Sequence, residues 1–216
     1  MKIVFPCSSK KNKIPFIHNN KEICFASQSV PGTEKKIFAT PDEVIRNENI
    51  TWRDLISKQE NRNDLTKAYK LYKHEIYKKL YERFKNDLYI FSAGWGIVSA
   101  EFMLPNYDIT FSDGKNIPDY AKRNKEFQFN DFNHLSGIDK NEIIIFIGLG
   151  KYLNSFLRLV GDLPNKKVVF YKDKMFNACA EKGTTKSIQF KRFEGGSNRK
   201  WHYLCAEDLI NNNLIL

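Results

Sequence analysis

Residues 142–147 constrain the fold more than any other stretch, because they end in five consecutive large apolar residues. A strand with one solvated face alternates polar and apolar residues, so this unbroken run predicts a strand buried on both faces. The run ends in Gly148-Leu149-Gly150, and apolar residues then recur at helical spacing across residues 153–160. A buried strand, a glycine turn and an amphipathic helix in this order are typical of a parallel sheet covered by helices.

Shorter apolar runs at residues 3–5, 88–91 and 168–171 predict further strands of the same sheet. Between the first two runs, residues 64–85 carry apolar side chains at three- and four-residue spacing, which predicts one long helix. Another helix is predicted for residues 118–135. This alternation predicts an α/β fold of three layers, a mainly parallel central sheet flanked by helices.

The composition favours one domain with an anionic partner. No repeat or low-complexity linker divides residues 1–216, and this length fits a single domain. The chain has 35 Lys and Arg against 25 Asp and Glu, a formal net charge of +10, and nucleic acid is the commonest partner of such a chain. Aromatic residues make up 14% of the chain. Cations neutralise phosphate and rings replace lost base stacking, so this mixture suits an unstacked nucleobase.

The cysteines and histidines give no sign of a metal site. Cys7, Cys24, Cys179 and Cys205 lie far apart, without the spacing of zinc ligands or the density of a disulfide scaffold. The four histidines are equally scattered, so we expect no metal and no cofactor. No signal peptide or membrane span is visible, which predicts a cytoplasmic protein that binds no membrane. The oligomeric state stays open.

The strand at residues 88–91 ends in Ser92-Ala93-Gly94-Trp95-Gly96. Glycine permits backbone angles that other residues resist and lets a ligand approach the main chain closely. One interpretation is therefore that Trp95 offers its ring to a nucleobase. The other is that Trp95 fills the core and the glycines only turn the chain. The sequence leaves both open.

Two further loops carry groups that bind phosphate. Ser8, Ser9, Lys10 and Lys11 follow the first strand, at the edge of the sheet where ligands of α/β proteins bind, although such a sequence is also an ordinary solvated turn. Lys151 follows the glycine turn at the start of a predicted helix, where free amides and the helix dipole favour an anion.

The last candidate segment lies near the end of the chain. Residues 187–193 predict an edge strand and residues 199–211 a final helix. Between them, Ser197 and Asn198 lead into Trp201 and His202, which combine helix-capping groups, a ring and a titratable imidazole.

Several of these motifs, in this order, resemble the YaaA-like superfamily, which includes the peroxide-stress protein YaaA. The motifs are Cys7-Ser8-Ser9-Lys10-Lys11, Phe91-Ser92-Ala93-Gly94-Trp95-Gly96-Ile97-Val98, Pro105-Asn106-Tyr107-Asp108 and Gly148-Leu149-Gly150-Lys151-Tyr152. Trp95 stands where these proteins more often have Tyr, and Asn106 separates a Pro-Tyr pair. The resemblance implies DNA binding, in a group associated with DNA damage, modified bases and anti-phage functions.

The resemblance further implies a DNA glycosylase, which excises a modified base from phage DNA by hydrolysis and leaves an abasic site. Such an enzyme must extrude the nucleotide and stabilise positive charge on the sugar, for which a carboxylate is suited. Asp108 is the first candidate, with Glu101 and Asp113 as alternates. The residues expected to bind substrate are Ser8, Ser9, Lys10, Lys11, Ser92, Gly94, Trp95, Asn106, Tyr107, Lys151, Ser197, Asn198, Trp201 and His202.

Two other functions remain open from the sequence. The first is a non-catalytic DNA-binding protein of the YaaA type, acting in DNA damage or peroxide stress. The second is an enzyme that processes a nucleotide or nucleoside, with Ser9, Lys10 and the turn at residues 148–150 on the phosphate.

Overall fold

The computed structural model describes residues 1–25, 36–60, 62–111, 130–148, 150–172, 185–189 and 200–214. Within these ranges the chain forms twelve strands and five helices. In chain order they are β1 (Lys2–Pro6), β2 (Phe16–His18), β3 (Lys21–Cys24), β4 (Lys36–Phe38), α1 (Trp52–Ser57), β5 (Thr66–Lys67), α2 (Ala68–Leu71), α3 (Ile76–Phe84), β6 (Leu88–Ser92), β7 (Gly96–Ser99), β8 (Met103–Leu104), β9 (Phe132–Asn133), β10 (Ile144–Ile147), α4 (Gly150–Val160), β11 (Lys167–Tyr171), β12 (Thr185–Gln189) and α5 (Trp201–Ile210).

The central sheet of the described residues has seven strands in the order β12-β11-β10-β1-β6-β7-β9. The five strands from β12 to β6 are all parallel to their neighbours, whereas β7 runs antiparallel to β6. Strands β2-β3-β4 and β5-β8 form two smaller sheets. The α/β fold with a mainly parallel sheet is therefore confirmed.

The middle strands are buried on both faces, as the unbroken apolar run predicts. Ile144 to Ile147 are fully buried, and the Phe146 ring stacks on Phe156 of α4 at 4.2 Å between ring centroids. In the neighbouring strand β1, the ring of Phe5 contacts Tyr77 of α3 and His202 of α5. Burial of these side chains explains why no polar residue interrupts residues 3–5 and 144–147.

The strand order places a crevice at β1. Counted along the chain, the five parallel strands lie in the order 2-1-3-4-5, with β6 on one side of β1 and β10 on the other. The connections that leave β1 and β6 therefore run in opposite directions across the sheet. In open α/β sheets, ligands bind at such a switch point, outside the carboxyl ends of the strands.

The single helix predicted for residues 64–85 is wrong. Residues 66–67 form β5, and α2 and α3 are separated by an extended segment at Tyr72. The loop after β1 causes this break: the Asn12 N–H donates to the Leu71 carbonyl at 2.8 Å, and the Lys73 N–H donates to the Lys10 carbonyl at 3.1 Å. Hydrogen bonds to a distant loop thus replace those of a continuous helix.

The other predicted elements have mixed outcomes. Most of the helix predicted for residues 118–135 lies outside the described residues, and its described end forms β9 rather than a helix. The final helix is confirmed as α5. The predicted edge strand corresponds to β12, which lies at the edge of the sheet, while residues 190–193 lie outside the described part.

Candidate functional site

A pocket of about 280 Å³ opens at the carboxyl ends of the central strands. It lies at the switch point, since its walls come from the loop that follows β1, the loop before residue 112, and the first turns of α4 and α5. The lining residues are Cys7, Ser8, Ser9, Lys11, Asp108, Ile109, Thr110, Phe111, Tyr152, His202 and Tyr203. Segments far apart in the chain therefore converge on one site, as the sequence predicts for Ser8, Ser9, Lys11, Asp108 and His202.

Backbone hydrogen bonds hold the two loops in place. The Cys7 N–H donates to the Phe91 carbonyl at 2.9 Å, and the Ala93 N–H donates to the Cys7 sulfur at 3.5 Å. These bonds tie the loop after β1 to the end of β6. The Asp108 N–H donates to the Phe25 carbonyl at 2.7 Å, which fixes the start of the second loop.

Lys11 supplies a buried cation to the pocket. Its side chain is only 6% exposed, and its Nζ lies 4.1 Å from the centroid of the Tyr107 ring. Burial lowers the pKa of Lys11, while the nearby Cys7 and Asp108 raise it. An ammonium group that has lost most of its hydration gains much from an anionic ligand, and it gives up a proton more readily than an exposed lysine.

A network of three buried hydroxyl groups lies beneath Lys11. The Ser92 hydroxyl donates to the Tyr107 hydroxyl at 2.6 Å, which lies 2.8 Å from the Tyr72 hydroxyl. Burial raises the pKa values of Tyr72 and Tyr107, so both phenols stay neutral. Ser92 and Tyr107, expected to bind substrate, do not line the pocket. Tyr107 instead supports Lys11 through its ring.

His202 brings a neutral imidazole to the opposite wall. The ring is 8% exposed and lies against Phe5 and Tyr203, with centroid distances of 5.9 and 4.0 Å. Burial, followed by the charge of His74, lowers the pKa of His202 to about 4. Its Nδ1 has no hydrogen-bond partner among the residues that the structure describes. This nitrogen is itself buried, so the imidazole is a wall residue of the pocket with one polar atom that the described residues leave unsatisfied.

Asp108 is the carboxylate of the pocket, and its side chain is exposed at the entrance. Three aromatic side chains also line the pocket: Phe111 and Tyr152, whose ring centroids lie 4.5 Å apart, and Tyr203. Burial, followed by the neighbouring Cys7, raises the pKa of Tyr152. A flat ring that enters the pocket therefore meets apolar faces, with charged groups at its edge.

The proposed stacking role of Trp95 is corrected by the structure. Its ring is fully buried and contacts Phe25 edge-on at 5.2 Å. The Arg53 guanidinium fills the inside of the turn, donating to the carbonyls of Gly94 at 2.8 Å and Trp95 at 3.2 Å. No face of this ring is left for a base, so the core interpretation of Trp95 holds.

The two glycines of this turn allow neighbouring protein segments, rather than a ligand, to pack closely against the main chain. Gly94 and Gly96 have φ values of +89° and +92°. A Cβ on Gly94 would lie 2.6 Å from Ile109, and one on Gly96 would lie 2.3 Å from the Phe132 carbonyl oxygen. Gly96 is therefore needed for the close pairing of β7 with β9, and the Gly94 carbonyl is already occupied by Arg53.

Glu101 is removed from the candidate carboxylates. It does not line the pocket and accepts hydrogen bonds from Lys67 and the Tyr81 hydroxyl. The bond from Lys67, followed by that from Tyr81, lowers the pKa of Glu101. Trp201, also expected to bind substrate, is buried at 3% exposure and does not line this pocket.

The remaining predicted residues fall into two groups. Lys10 is exposed and Asn106 half-buried, and neither lines the pocket. The others lie outside the described residues: they are Asp113, the side chain of Lys151, Ser197 and Asn198.

Sequence reasoning missed six lining residues as site residues: Cys7, Ile109, Thr110, Phe111, Tyr152 and Tyr203. Cys7 precedes the predicted Ser8, and Ile109 follows the predicted Asp108, so position alone could have found these two. Tyr203 follows His202 in the same first helical turn. Tyr152 lies in the first turn of α4 beside the predicted Lys151, so its position could have identified it as well.

No group of three metal-binding side chains occurs among the described residues. Within the same ranges, no helix has the length and apolar character needed to cross a membrane. Comparisons of the chain with protein-family models, curated proteins and solved structures gave no match. The resemblance to YaaA-like proteins therefore stays a prediction from short motifs.

Proposed function

We propose that this protein hydrolyses the N-glycosidic bond of a nucleotide in DNA, releasing the base and leaving an abasic site. The observation that carries the proposal is the convergence of Asp108, Lys11 and His202 on one small pocket with aromatic walls. The reaction needs an anion near the sugar, hydrogen-bond donors for the departing base and rings that stack on the base. Asp108 supplies the anion, Lys11 and His202 the polar groups, and the aromatic walls the rings.

The pocket volume supports a single nucleotide as the reacting unit. Ligand pockets for drug-sized molecules span about 300–1,000 Å³, and this one, at about 280 Å³, lies just below that range. A base within a duplex cannot enter so narrow a site, so the nucleotide must leave the helix first.

In the proposed reaction, the bond between the sugar C1′ and the base nitrogen breaks, and its electron pair leaves with the base. The Asp108 carboxylate stabilises the positive charge on the sugar and orients the water that adds its oxygen to C1′. Lys11, whose pKa is lowered by burial, supplies a proton to the departing base. The neutral His202 imidazole holds the edge of that base. The water loses one proton on adding to C1′, and this proton goes to the neutral Lys11 amine, which restores the ammonium form and balances the step.

DNA is the proposed polymer because the chain carries a formal net charge of +10. The resemblance to YaaA-like proteins adds a modified base of phage DNA as the substrate class, and anti-phage defence in the cytoplasm as the setting.

We propose a three-layer architecture for the same fold. Val4 and Phe146 are paired in register, so Phe5, the next residue along β1, points to the opposite face from Phe146. Phe5 contacts α3 and α5, whereas Phe146 contacts α4. These contacts support helices on both sides of the sheet.

The test compares wild type, Asp108→Asn and Asp162→Asn on normal and hypermodified phage DNA, followed by alkaline cleavage at abasic sites. Asp162 is an exposed carboxylate after α4, outside the pocket, and it controls for the change in charge. We expect strand breaks with wild type and Asp162→Asn, and a loss of about 100-fold or more with Asp108→Asn. Full activity of folded Asp108→Asn would remove Asp108 from the mechanism.

A nucleoside- or nucleotide-processing enzyme is the second candidate, favoured by the same small pocket volume. A ligand that binds only the folded protein raises its melting temperature. Stabilisation by mononucleotides but not by DNA would favour this candidate. Salt-sensitive DNA binding without base release would instead indicate a non-catalytic DNA-binding protein.

A further inference from the structure

A second and larger depression, of about 670 Å³, lies on the surface of α2 and α3. Four of its lining residues are lysines: Lys70, Lys73, Lys78 and Lys85. All four side chains are exposed. We call this depression the lysine groove.

The acidic residues at the lysine groove are already neutralised. Glu75 pairs with Lys79 at 2.8 Å, and Glu82 pairs with Lys78 at 3.7 Å. Within the described residues, Lys70, Lys73 and Lys85 form no ion pair of this kind. The groove therefore presents an excess of positive charge.

Two tyrosines hold part of this charge in place. The Tyr69 and Tyr81 rings stack at 3.7 Å between centroids. The Nζ of Lys70 lies 5.7 Å from the centroid of Tyr69, and that of Lys85 lies 5.2 Å from the centroid of Tyr81. Cation–π contacts of this kind restrict the two ammonium groups to the groove, which reduces the entropy lost when they bind an anion.

The lysine groove and the pocket share a wall. The loop of residues 8–12 lines the pocket through Ser8, Ser9 and Lys11, and the groove through Asn12. The Asn12 side chain donates to the Lys70 carbonyl at 2.9 Å. His74 of the groove stacks on Tyr203 of the pocket at 3.9 Å between centroids. A strand with one nucleotide in the pocket would therefore have the positively charged lysine groove next to its neighbouring nucleotides.

We propose that the lysine groove binds the phosphodiester backbone of the nucleic-acid strand that flanks the nucleotide in the pocket. The identity of this polyanion rests on the proposed function. A strand longer than one nucleotide would place backbone phosphates beside these lysines, whereas a mononucleotide in the pocket would leave them in contact with solvent.

The test measures binding of a fluorescent oligodeoxynucleotide of about 16 nucleotides, single-stranded and as a duplex, across a series of salt concentrations. Wild type is compared with Lys70→Gln/Lys73→Gln and with the control Lys140→Gln/Lys166→Gln. Lys140 and Lys166 are exposed and precede β10 and β11, at the opposite edge of the sheet from the pocket. Both double variants lose the same charge.

Each lost phosphate contact reduces the slope of log K against log salt by about 0.7 for a single strand. The groove variant should therefore bind the single strand about 25-fold more weakly at about 0.1 M salt, with a slope smaller by about 1.4. The control variant should bind within about twofold of wild type. Equal binding by the two double variants to both DNA forms would overturn the proposal.

Base release from hypermodified phage DNA, assayed with the same three proteins, separates this inference from the proposed function. Binding that depends on Lys70 and Lys73, with no base release by wild type, supports the groove and overturns the proposed hydrolysis. Base release from DNA that is unchanged in the groove variant, at substrate concentrations below saturation, overturns the groove.

Discussion

Replacing Gly96 with alanine should destabilise the fold strongly. The added Cβ would lie 2.3 Å from the carbonyl oxygen and 2.6 Å from the nitrogen of Phe132, and both are backbone atoms that cannot move aside alone. Gly96 also has a φ of +92°, which costs an L-residue about 1–2 kcal/mol. Separation of β7 from β9 would break the bonds from Phe132 to Trp95 and from His134 to Ile97, at about 1 kcal/mol each. The sum is about 3–4 kcal/mol.

Urea denaturation measures this change, with Gly137→Ala as the matched control. A Cβ on Gly137 would meet nothing within 4 Å, so this variant should unfold like wild type. For Gly96→Ala we expect a loss of about 3–4 kcal/mol in urea. In a thermal scan this corresponds to a fall in melting temperature of about 6–16 °C, at about 2–4 °C per kcal/mol. If Gly96→Ala lowers the free energy of unfolding by less than about 1 kcal/mol but abolishes DNA binding, this reasoning is refuted. The glycine turn would then be inferred to contact the ligand.

Three further predictions concern the pocket. Burial lowers the pKa of His202 to about 4, below about 6.5 in the unfolded chain. As the pH falls, the imidazole of the unfolded state takes up its proton first, so the folded state loses stability between about pH 6.5 and about pH 4. The free energy of unfolding is measured by urea denaturation at pH 7 and at pH 5. Its decrease between the two should be about 2 kcal/mol greater for wild type than for His202→Gln. Cys7→Ala should keep base release within about tenfold of wild type, because the proposed reaction uses a carboxylate and not a thiol nucleophile; complete loss in a folded variant would contradict this. Tyr107→Phe removes the acceptor of the Ser92 hydroxyl and the hydrogen-bond partner of Tyr72. Calorimetry should show a free energy of unfolding lower by about 1–3 kcal/mol. An unchanged melting temperature would count against the hydroxyl network.

The central strands could be predicted from sequence because local pattern determines them. The apolar run before Gly148 gives β10, and the run before Ser92 gives β6. The bend at Gly94 and Gly96 was also predicted, and both glycines do adopt positive φ values. In each case the information lies within a few neighbouring residues.

The role of that bend could not be predicted, because it depends on distant residues. Phe25 and Arg53 cover Trp95 and its turn from positions 70 and 42 residues away along the chain. The break in the helix predicted for residues 64–85 has the same origin, since it arises from hydrogen bonds to Lys10 and Asn12. Local spacing carries no information on such contacts.

The pocket residues show the same difference between features set by neighbouring residues and features set by distant ones. Ser8, Ser9 and Lys11 line the pocket, as expected from their position at the carboxyl end of a parallel strand, where such sheets bind ligands. Glu101 was placed wrongly as a candidate acid, because its bonds to Lys67 and Tyr81 come from the pairing of β5 with β8 and from α3. A carboxylate near a motif in sequence is therefore not necessarily near it in space.

The central claim is that this pocket hydrolyses an N-glycosidic bond in DNA with Asp108 as the carboxylate. Mass spectrometry of a reaction with hypermodified phage DNA measures the free base and the abasic sites together. The account predicts equal amounts of both with wild type and with Asp162→Asn, and neither with folded Asp108→Asn. Absence of free base from every DNA offered to wild type, or equal release by Asp108→Asn, would contradict it.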